Sequence, residues 1–171
     1  MDKKRDKLIN EIIEIELDMF KKVNSTIVSP CQEYLKTFKM MRWMSHSVIP
    51  DKILASYLED LKNGRKDGRN FMREKYAKME GQIPHLNNSK YLEPIVEIES
   101  LWMNEVTEKY PKIFKSRKDG FRTYISCELE TLSQNTLKML YEFTMEVKKE
   151  NRNLVDERYK NLFNKLGKTL E

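Results

Sequence analysis

The sequence predicts an all-α protein, a helical bundle built from two tandem repeats related by a pseudo-two-fold rotation. Apolar residues recur at three- and four-residue steps along most of the chain, the period of helices with one buried face. Thirty-five per cent of the 171 residues are charged, and only five glycines and five prolines interrupt the pattern. The Arg-Asn pair at residues 69–70, with Glu-x-Tyr four residues later, returns 83 residues further on at residues 152–153. We therefore expect the chain to contain two copies of one helical unit.

The repeat covers most of the chain. At the same offset, Ile12, Ile13 and Glu16 align without a gap with Ile95, Val96 and Glu99. We place the two copies at about residues 5–81 and 91–167. Because two units of about 80 residues more readily share one core than build two, we expect a single helical domain over residues 1–171.

Each predicted helix of the first repeat has its own signals. The first covers residues 4–23, and Glu16 lies inside its apolar stripe, four residues after Ile12 and four before Phe20. Residues 24–30 have loop composition. A second helix is predicted from Gln32 to about residue 47. A third begins at Pro50, because proline tolerates the first turn of a helix.

The end of the third helix has two interpretations. Gly68 fits a left-handed C-cap and Asn70 the N-cap of a new helix. Leu54 and Met72 are 18 residues apart, which is five whole turns, so the phase also permits one long helix. We favour the long helix, since residues 148–152 of the second repeat contain no strong helix breaker.

In the second repeat, helices are predicted over residues 91–110 and 121–132. A third helix, capped by Ser133, is predicted to continue to residue 166.

Charge and cysteine usage argue against several classes. Residues 1–83 hold 17 basic and 13 acidic side chains and residues 84–171 hold 15 and 14, so neither half has the clustered basic surface that nucleic acid binding needs. We expect no membrane span, because no apolar stretch is long enough, and no secretory signal. The predicted compartment is the cytoplasm, with Cys31 and Cys127 as reduced thiols.

Glu16 and Glu99 are predicted to be buried carboxylates that need partners. On the long-helix interpretation Arg69 and Arg152 face inward, and a bidentate guanidinium is the natural partner. Such pairs either set helix register, which we favour, or belong to a ligand site. A four-carboxylate metal site is disfavoured, because no Glu-x-x-His motif occurs and the arginines would repel a cation. Its members would be Glu16, Glu74, Glu99 and Glu157.

Several polar groups of the first repeat have no polar counterpart in the second. Three of them align with apolar residues at the 83-residue offset: Arg42 with Ile125, His46 with Leu129 and Cys31 with Phe114. A lone histidine near a helix end is more often a cap or surface residue than a base. Cys31, in a loop before a helix, fits either a low-pKa thiol or, as we favour, an ordinary buried one. The asymmetry indicates the first repeat as the ligand-binding one.

The strings at residues 15–20, 30–33, 38–42, 56–61, 68–70 and 74–76 resemble a family of bacterial proteins of unknown function. Its members are all-helical and occur alone or alongside a nucleotidyltransferase-like domain. The resemblance covers nearly the whole chain. It implies a bacterial cytoplasmic protein with a nucleotidyltransferase-like partner, and it carries over no catalytic residue.

Two classes of function fit these observations. In the first, the protein binds a small polar or anionic molecule, such as a nucleotide or metabolite, in a polar cavity between the repeats. The residues expected to contact it are Glu16, Cys31, Arg42, Arg69, Asn70 and Glu74. In the second, it is a non-catalytic helical interaction module whose buried Glu–Arg pairs are structural. The sequence assigns no reaction, metal or cofactor.

Overall fold

A computed structural model describes residues 2–23, 32–114 and 120–170 of the chain. Within these ranges it contains eight α-helices and no strand, which confirms the predicted all-α class. None of the helices in these ranges is long and apolar enough to cross a membrane. The helices are α1 (Lys3–Val23), α2 (Gln32–His46), α3 (Asp51–Lys66), α4 (Phe71–Met79), α5 (Leu92–Lys109), α6 (Phe121–Leu129), α7 (Gln134–Lys149) and α8 (Leu154–Lys165).

The chain divides into two compact units, Met1–Pro84 and His85–Glu171, with four helices each in the described residues. The boundary falls between the two predicted repeats, residues 5–81 and 91–167. The single domain with a shared core stays a prediction. The predicted loop at residues 24–30, together with Cys31, lies outside the described residues.

In the first unit, α1 packs against α2, α3 and α4. Its buried side chains follow the predicted stripe and include Ile12, Ile13 and Phe20. Each apolar side chain of this size stabilises the fold by about 1.5–3 kcal/mol when it is fully buried. Glu16 lies in the same stripe and is 0% exposed. The packing of three helices around α1 therefore places a carboxylate in the centre of the unit.

In the second unit, α5 packs against α6, α7 and α8, as α1 does against its three neighbours. The helix bounds follow the predicted offset: α3 and α7 begin and end 83 residues apart, α4 and α8 begin 83 apart, and α2 and α6 end 83 apart. The superposition of residues 12–79 on residues 95–162 by a rotation near two-fold stays a prediction.

The predicted long helix through Gly68 is wrong. α3 ends at Lys66, Gly68 has a φ of 77°, and the backbone N–H of Arg69 donates to the carbonyl of Gly64 at 2.8 Å. A left-handed residue with this hydrogen bond closes a helix C-terminus. The second unit has the same break, because Asn151 has a φ of 57° and the N–H of Arg152 donates to Val147 at 3.2 Å. The five-turn spacing of Leu54 and Met72 does not require one helix, because α3 and α4 are separate helices that both bury a face against α1.

Candidate functional site

Glu16 is surrounded by donors from two other helices. Arg42 donates to Oε2 from Nε at 3.1 Å and from Nη2 at 2.8 Å, and the Tyr57 hydroxyl donates to the same oxygen at 2.7 Å. Nε2 of His46 lies 3.0 Å from Oε1. All four residues are buried, and we call them the Glu16 network. The prediction that Glu16 is buried with an arginine or tyrosine in hydrogen-bond reach is confirmed.

Helix geometry brings these groups together. Arg42 and His46 are four residues apart on α2 and therefore share a face, and this face meets α1. Tyr57 lies on α3 among the buried residues Ile53, Leu54 and Leu58. The turn after α2 is held by Arg5, whose guanidinium donates to the carbonyls of His46, Ser47 and Ile49 at 3.3, 2.8 and 2.8 Å.

The network keeps Glu16 ionised. Burial by itself raises the pKa of a carboxyl group, because the charged form loses its hydration. The positive charge of Arg42, the electrostatic interaction with His46 and the hydrogen bonds with both side chains outweigh the burial. Together they hold the pKa of Glu16 well below its usual range. The carboxylate is thus an acceptor for every donor around it.

Sequence reasoning missed His46 and Tyr57 as members of this site, and it missed Lys75 as a buried charge. His46 was interpreted as a cap or surface residue, yet it is 6% exposed and contacts Glu16. Its four-residue spacing from Arg42 was the available signal. Lys75 on α4 is 2% exposed, with Nζ 5.0 Å from the ring centroid of Tyr76. No local pattern distinguished it from the exposed lysines.

The second unit has a simpler centre. Arg158 on α8 donates from Nη1 and Nη2 to the two oxygens of Glu99 at 2.7 and 2.8 Å. Burial lowers the pKa of Arg158, but the charge and hydrogen bonds of Glu99 outweigh it and the net shift is upward. At the 83-residue offset the counterparts of the first unit's polar groups are Ile125 for Arg42, Leu129 for His46, Leu140 for Tyr57 and Arg158 for Lys75. A single arginine therefore binds both oxygens of Glu99, and this arginine also interacts electrostatically with Glu128 and Tyr124.

The predicted pairing of Glu16 with Arg69, and of Glu99 with Arg152, is wrong. Arg69 binds Glu74 from Nε at 3.0 Å and Nη2 at 2.7 Å, and its side chain is 44% exposed. The hydrogen bond to Glu74 raises the pKa of Arg69. Arg152 binds Glu157 in the same way, at 3.1 and 2.9 Å. The left-handed turns at residues 68 and 151 rotate both arginines out of the helix face on which they were expected.

Asn70 has a defined structural role. Its Oδ1 accepts from the N–H of Arg73 at 3.0 Å, which caps α4, and its Nδ2 donates to the carbonyl of Met19 at 2.8 Å. Asn153 caps α8 and donates to the carbonyl of Trp102 at 3.1 Å, and both partners lie at the 83-residue offset. Each asparagine side chain thus connects the start of one helix to the first helix of its unit by a hydrogen bond.

No three His, Cys, Asp or Glu side chains within the described residues are grouped as metal ligands. The four glutamates considered for a metal site are each bound by an arginine: Glu16 by Arg42, Glu74 by Arg69, Glu99 by Arg158 and Glu157 by Arg152. Cys127 is buried and is not part of a disulfide within the described residues. Cys31 lies outside the described residues.

A cleft of about 350 Å³ opens in the second unit between the end of α5 and the start of α8. Its lining includes Glu105, Lys109, Arg152, Asp156 and Lys160. Lys160 binds Oδ2 of Asp156 at 2.6 Å, and Nζ of Lys109 lies 3.8 Å from Oδ1. Charges of both signs therefore line the cleft.

In the part of the chain that the structure describes, these features define an all-helical protein with two units of four helices each. In each unit a carboxylate is buried in the first helix and bound by an arginine. The chain belongs to the family described as "protein of unknown function (DUF4125)", whose model matches residues 6–170. A search of curated proteins and a search of solved structures each found no match.

Proposed function

We propose that this protein binds a small polar or anionic molecule, such as a nucleotide or a metabolite, through the Glu16 network of its first unit. The observation that carries the proposal is the difference between the two units. Among the described residues, the side chain that donates hydrogen bonds to Glu99 is Arg158, whereas Glu16 is bound by Arg42, His46 and Tyr57.

This comparison requires that the two units be copies of one four-helix unit, which we also propose. The helix bounds at the 83-residue offset support it. The equivalent bonds of Asn70 and Asn153 support it further. If the units are copies, aligned positions occupy equivalent places, and a difference between them is a difference at one site.

A structural carboxylate does not need the additional groups. Burying a polar side chain costs free energy unless it is hydrogen-bonded, and apolar residues of similar size are often at least as stabilising. Leu129 and Leu140 stand at the positions of His46 and Tyr57. The first unit therefore retains polar groups that its stability does not require, which is expected where a ligand is recognised.

The other predicted contacts remain part of the proposal. Arg42 belongs to the network, and Arg69, Asn70 and Glu74 form the turn between α3 and α4 of the same unit. Arg69 and Glu74 are joined as an ion pair, and their contact with a ligand stays a prediction, as does that of Cys31. We assign no reaction to the site.

The experiment converts the first unit's network into the second unit's ion pair. The variant carries Arg42→Ile, His46→Leu, Tyr57→Leu and Lys75→Arg. Nucleotides and metabolites are screened by thermal shift against wild type and variant, since a ligand at 100 times its dissociation constant adds about 2.7 kcal/mol to stability. We expect the variant to keep its helical circular dichroism and cooperative unfolding, and to lose the shifts.

Arg158→Lys is the matched control, because it weakens the second unit's bidentate pair without touching the first. It should leave the shifts intact. A conversion variant that binds the same compounds as wild type would overturn the proposal and assign the network a structural role.

The alternative is a non-catalytic helical interaction module with structural ion pairs. The observation that favours it is that Glu16 already receives four hydrogen bonds within its own unit. If no compound in the screen shifts the melting temperature, this alternative replaces ligand binding. From the resemblance we further propose a bacterial, cytoplasmic protein and a nucleotidyltransferase-like domain as its partner.

A further inference from the structure

The cleft of the second unit has an excess of positive charge at one end. Lys160 binds Oδ2 of Asp156 at 2.6 Å, whereas Nζ of Lys109 lies 3.8 Å from Oδ1, too far for a hydrogen bond. Oδ1 accepts no hydrogen bond from the described residues. The hydrogen bond with Asp156 raises the pKa of Lys160, so its ammonium group stays charged. One carboxylate therefore faces two ammonium groups, and the side chains of Lys109 and Lys160 are 56% and 53% exposed.

The other end of the cleft has an excess of negative charge. The carboxylate of Glu105 accepts a hydrogen bond from the neutral amide of Asn153 at 2.9 Å, and no cation within the described ranges pairs with it. Arg152 lies nearby but donates to both oxygens of Glu157, at 3.1 and 2.9 Å. The charge of Arg152 is thus already matched, whereas that of the exposed Glu105 is not neutralised.

The two ends of the cleft lie about one helical turn apart. Glu105 and Lys109 are four residues apart on α5, which corresponds to a rise of about 6 Å. On α8, Asn153 contacts Glu105 and Asp156 lies beside Lys109, so α5 and α8 run in the same direction along the cleft. An opening of about 350 Å³ is large enough for a small molecule. It therefore presents opposite charges at a fixed, short separation.

These charges are not part of the helix junction that both units share. The junction residues Arg152, Asn153 and Glu157 have counterparts of the same type, which are Arg69, Asn70 and Glu74. The other charged positions of the cleft differ: in place of Glu105, Lys109, Asp156 and Lys160 the first unit has Lys22, Thr26, Arg73 and Ala77. The junction of the first unit still forms, with its hydrogen bond from Asn70 to the carbonyl of Met19. The junction therefore does not require the charges of the cleft.

We infer that this cleft binds a small zwitterion, with the carboxylate of the ligand at Lys109 and Lys160 and its ammonium group at Glu105. These protein groups are exposed, so the ligand reaches them without any opening of the unit. A ligand with only one of the two charges is attracted at one end and gains nothing at the other. The expected class is therefore the amino carboxylates. This site is separate from the Glu16 network, which lies in the first unit.

The first experiment varies the ligand. Glycine, 3-aminopropanoate, 4-aminobutanoate and 5-aminopentanoate are each titrated into the full chain by isothermal calorimetry. The alkyl carboxylate and the alkylamine of the same length, each of which lacks one charge, are titrated beside them. We expect at least one amino carboxylate to bind with a Kd below about 10 mM, and both of its singly charged analogues to bind about tenfold more weakly.

The second experiment varies the protein. Glu105→Gln removes the negative charge but keeps an acceptor for Asn153, and Lys109→Met removes one positive charge. We expect Glu105→Gln to weaken amino carboxylate binding by about tenfold and to leave alkyl carboxylate binding unchanged, whereas Lys109→Met weakens both. Lys62→Met is the matched control, because it removes an exposed lysine that pairs with Glu11 in the first unit. It should change neither.

The outcomes separate this inference from the proposed function. Amino carboxylates that bind no tighter than their singly charged analogues, or do not bind, overturn the inference. Unchanged binding in Glu105→Gln and Lys109→Met overturns it as well. Amino carboxylate binding should persist in the fourfold conversion variant, whereas compounds bound by the Glu16 network lose theirs. If amino carboxylates fail only with the conversion variant, the proposed function stands and the inference falls.

Discussion

Arg42 binds one carboxylate oxygen of Glu16 with two of its nitrogens, at 3.1 and 2.8 Å, and the two residues are 4% and 0% exposed. The pair is shielded from water, so its interaction is stronger than that of a surface pair. Breaking it leaves a charge that cannot be hydrated. This relationship determines where the first unit is most sensitive to substitution.

Arg42→Ala should destabilise the protein far more than Arg69→Ala. Removing one partner of a buried pair costs about 3–5 kcal/mol, because the other charge stays buried. Arg69 is paired at a surface where such bonds contribute at most about 1 kcal/mol. Urea unfolding followed by circular dichroism measures both. Similar losses in the two variants would contradict the assignment of Arg42 as the partner of Glu16.

Stability should decrease in acid through Glu16. A carboxyl group whose folded pKa lies below its unfolded value contributes stability above the unfolded pKa, and this contribution is lost as pH falls through the folded value. The unfolded value is about 4.5 and the folded pKa of Glu16 is lowered, so the loss begins near 4.5 and continues below it. Urea unfolding of wild type and Glu16→Gln, from about pH 7 to about pH 3, tests this. The difference between them should shrink as pH falls, and a constant difference would contradict it.

A larger side chain at position 64 should be tolerated better when the side chain at position 71 is smaller than that of Phe71. A Cβ atom added at Gly64 would lie 2.6 Å from Cε1 of Phe71, and the aligned positions in the second unit hold Val147 and Leu154. Gly64→Val should therefore cost about 1–3 kcal/mol by overpacking. Adding Phe71→Leu should recover part of that loss. A double-mutant cycle of unfolding free energies measures the coupling, and additive effects would show that the two side chains do not limit each other.

Asn70→Asp and Asn153→Asp should each destabilise the protein although aspartate is as good an N-cap as asparagine. The substitution keeps the acceptor for the helix N–H but removes the donor to the carbonyl of Met19 or Trp102. A buried acceptor left without its partner costs about 1–3 kcal/mol. Asn10→Asp on the exposed face of α1 serves as the control and should be nearly neutral. Equal effects at all three positions would show that the hydrogen bonds to α1 and α5 do not contribute to stability.

The cap signals at residues 68–70 were correct but were outweighed in the prediction. Gly68 and Asn70 had the residue types of a C-cap and an N-cap, and the structure uses them so. The competing signal was the five-turn phase between Leu54 and Met72. Phase cannot distinguish one long helix from two shorter helices that bury their apolar faces against the same third helix, because both arrangements demand the same side-chain types.

The sequence by itself determined the all-α class, the 83-residue offset and the burial of Glu16 and Glu99, because helical periodicity and the alignment of equivalent positions can be read directly from the residues. Only the tertiary structure decided which side chains meet Glu16. Arg42, His46 and Tyr57 lie 26, 30 and 41 residues from it, and contacts at such separations depend on how α2 and α3 rotate as they pack on α1. The spacing of apolar residues determines which face of each helix turns towards α1. Which side chains on that face reach Glu16 depends on the side-chain packing of the folded unit.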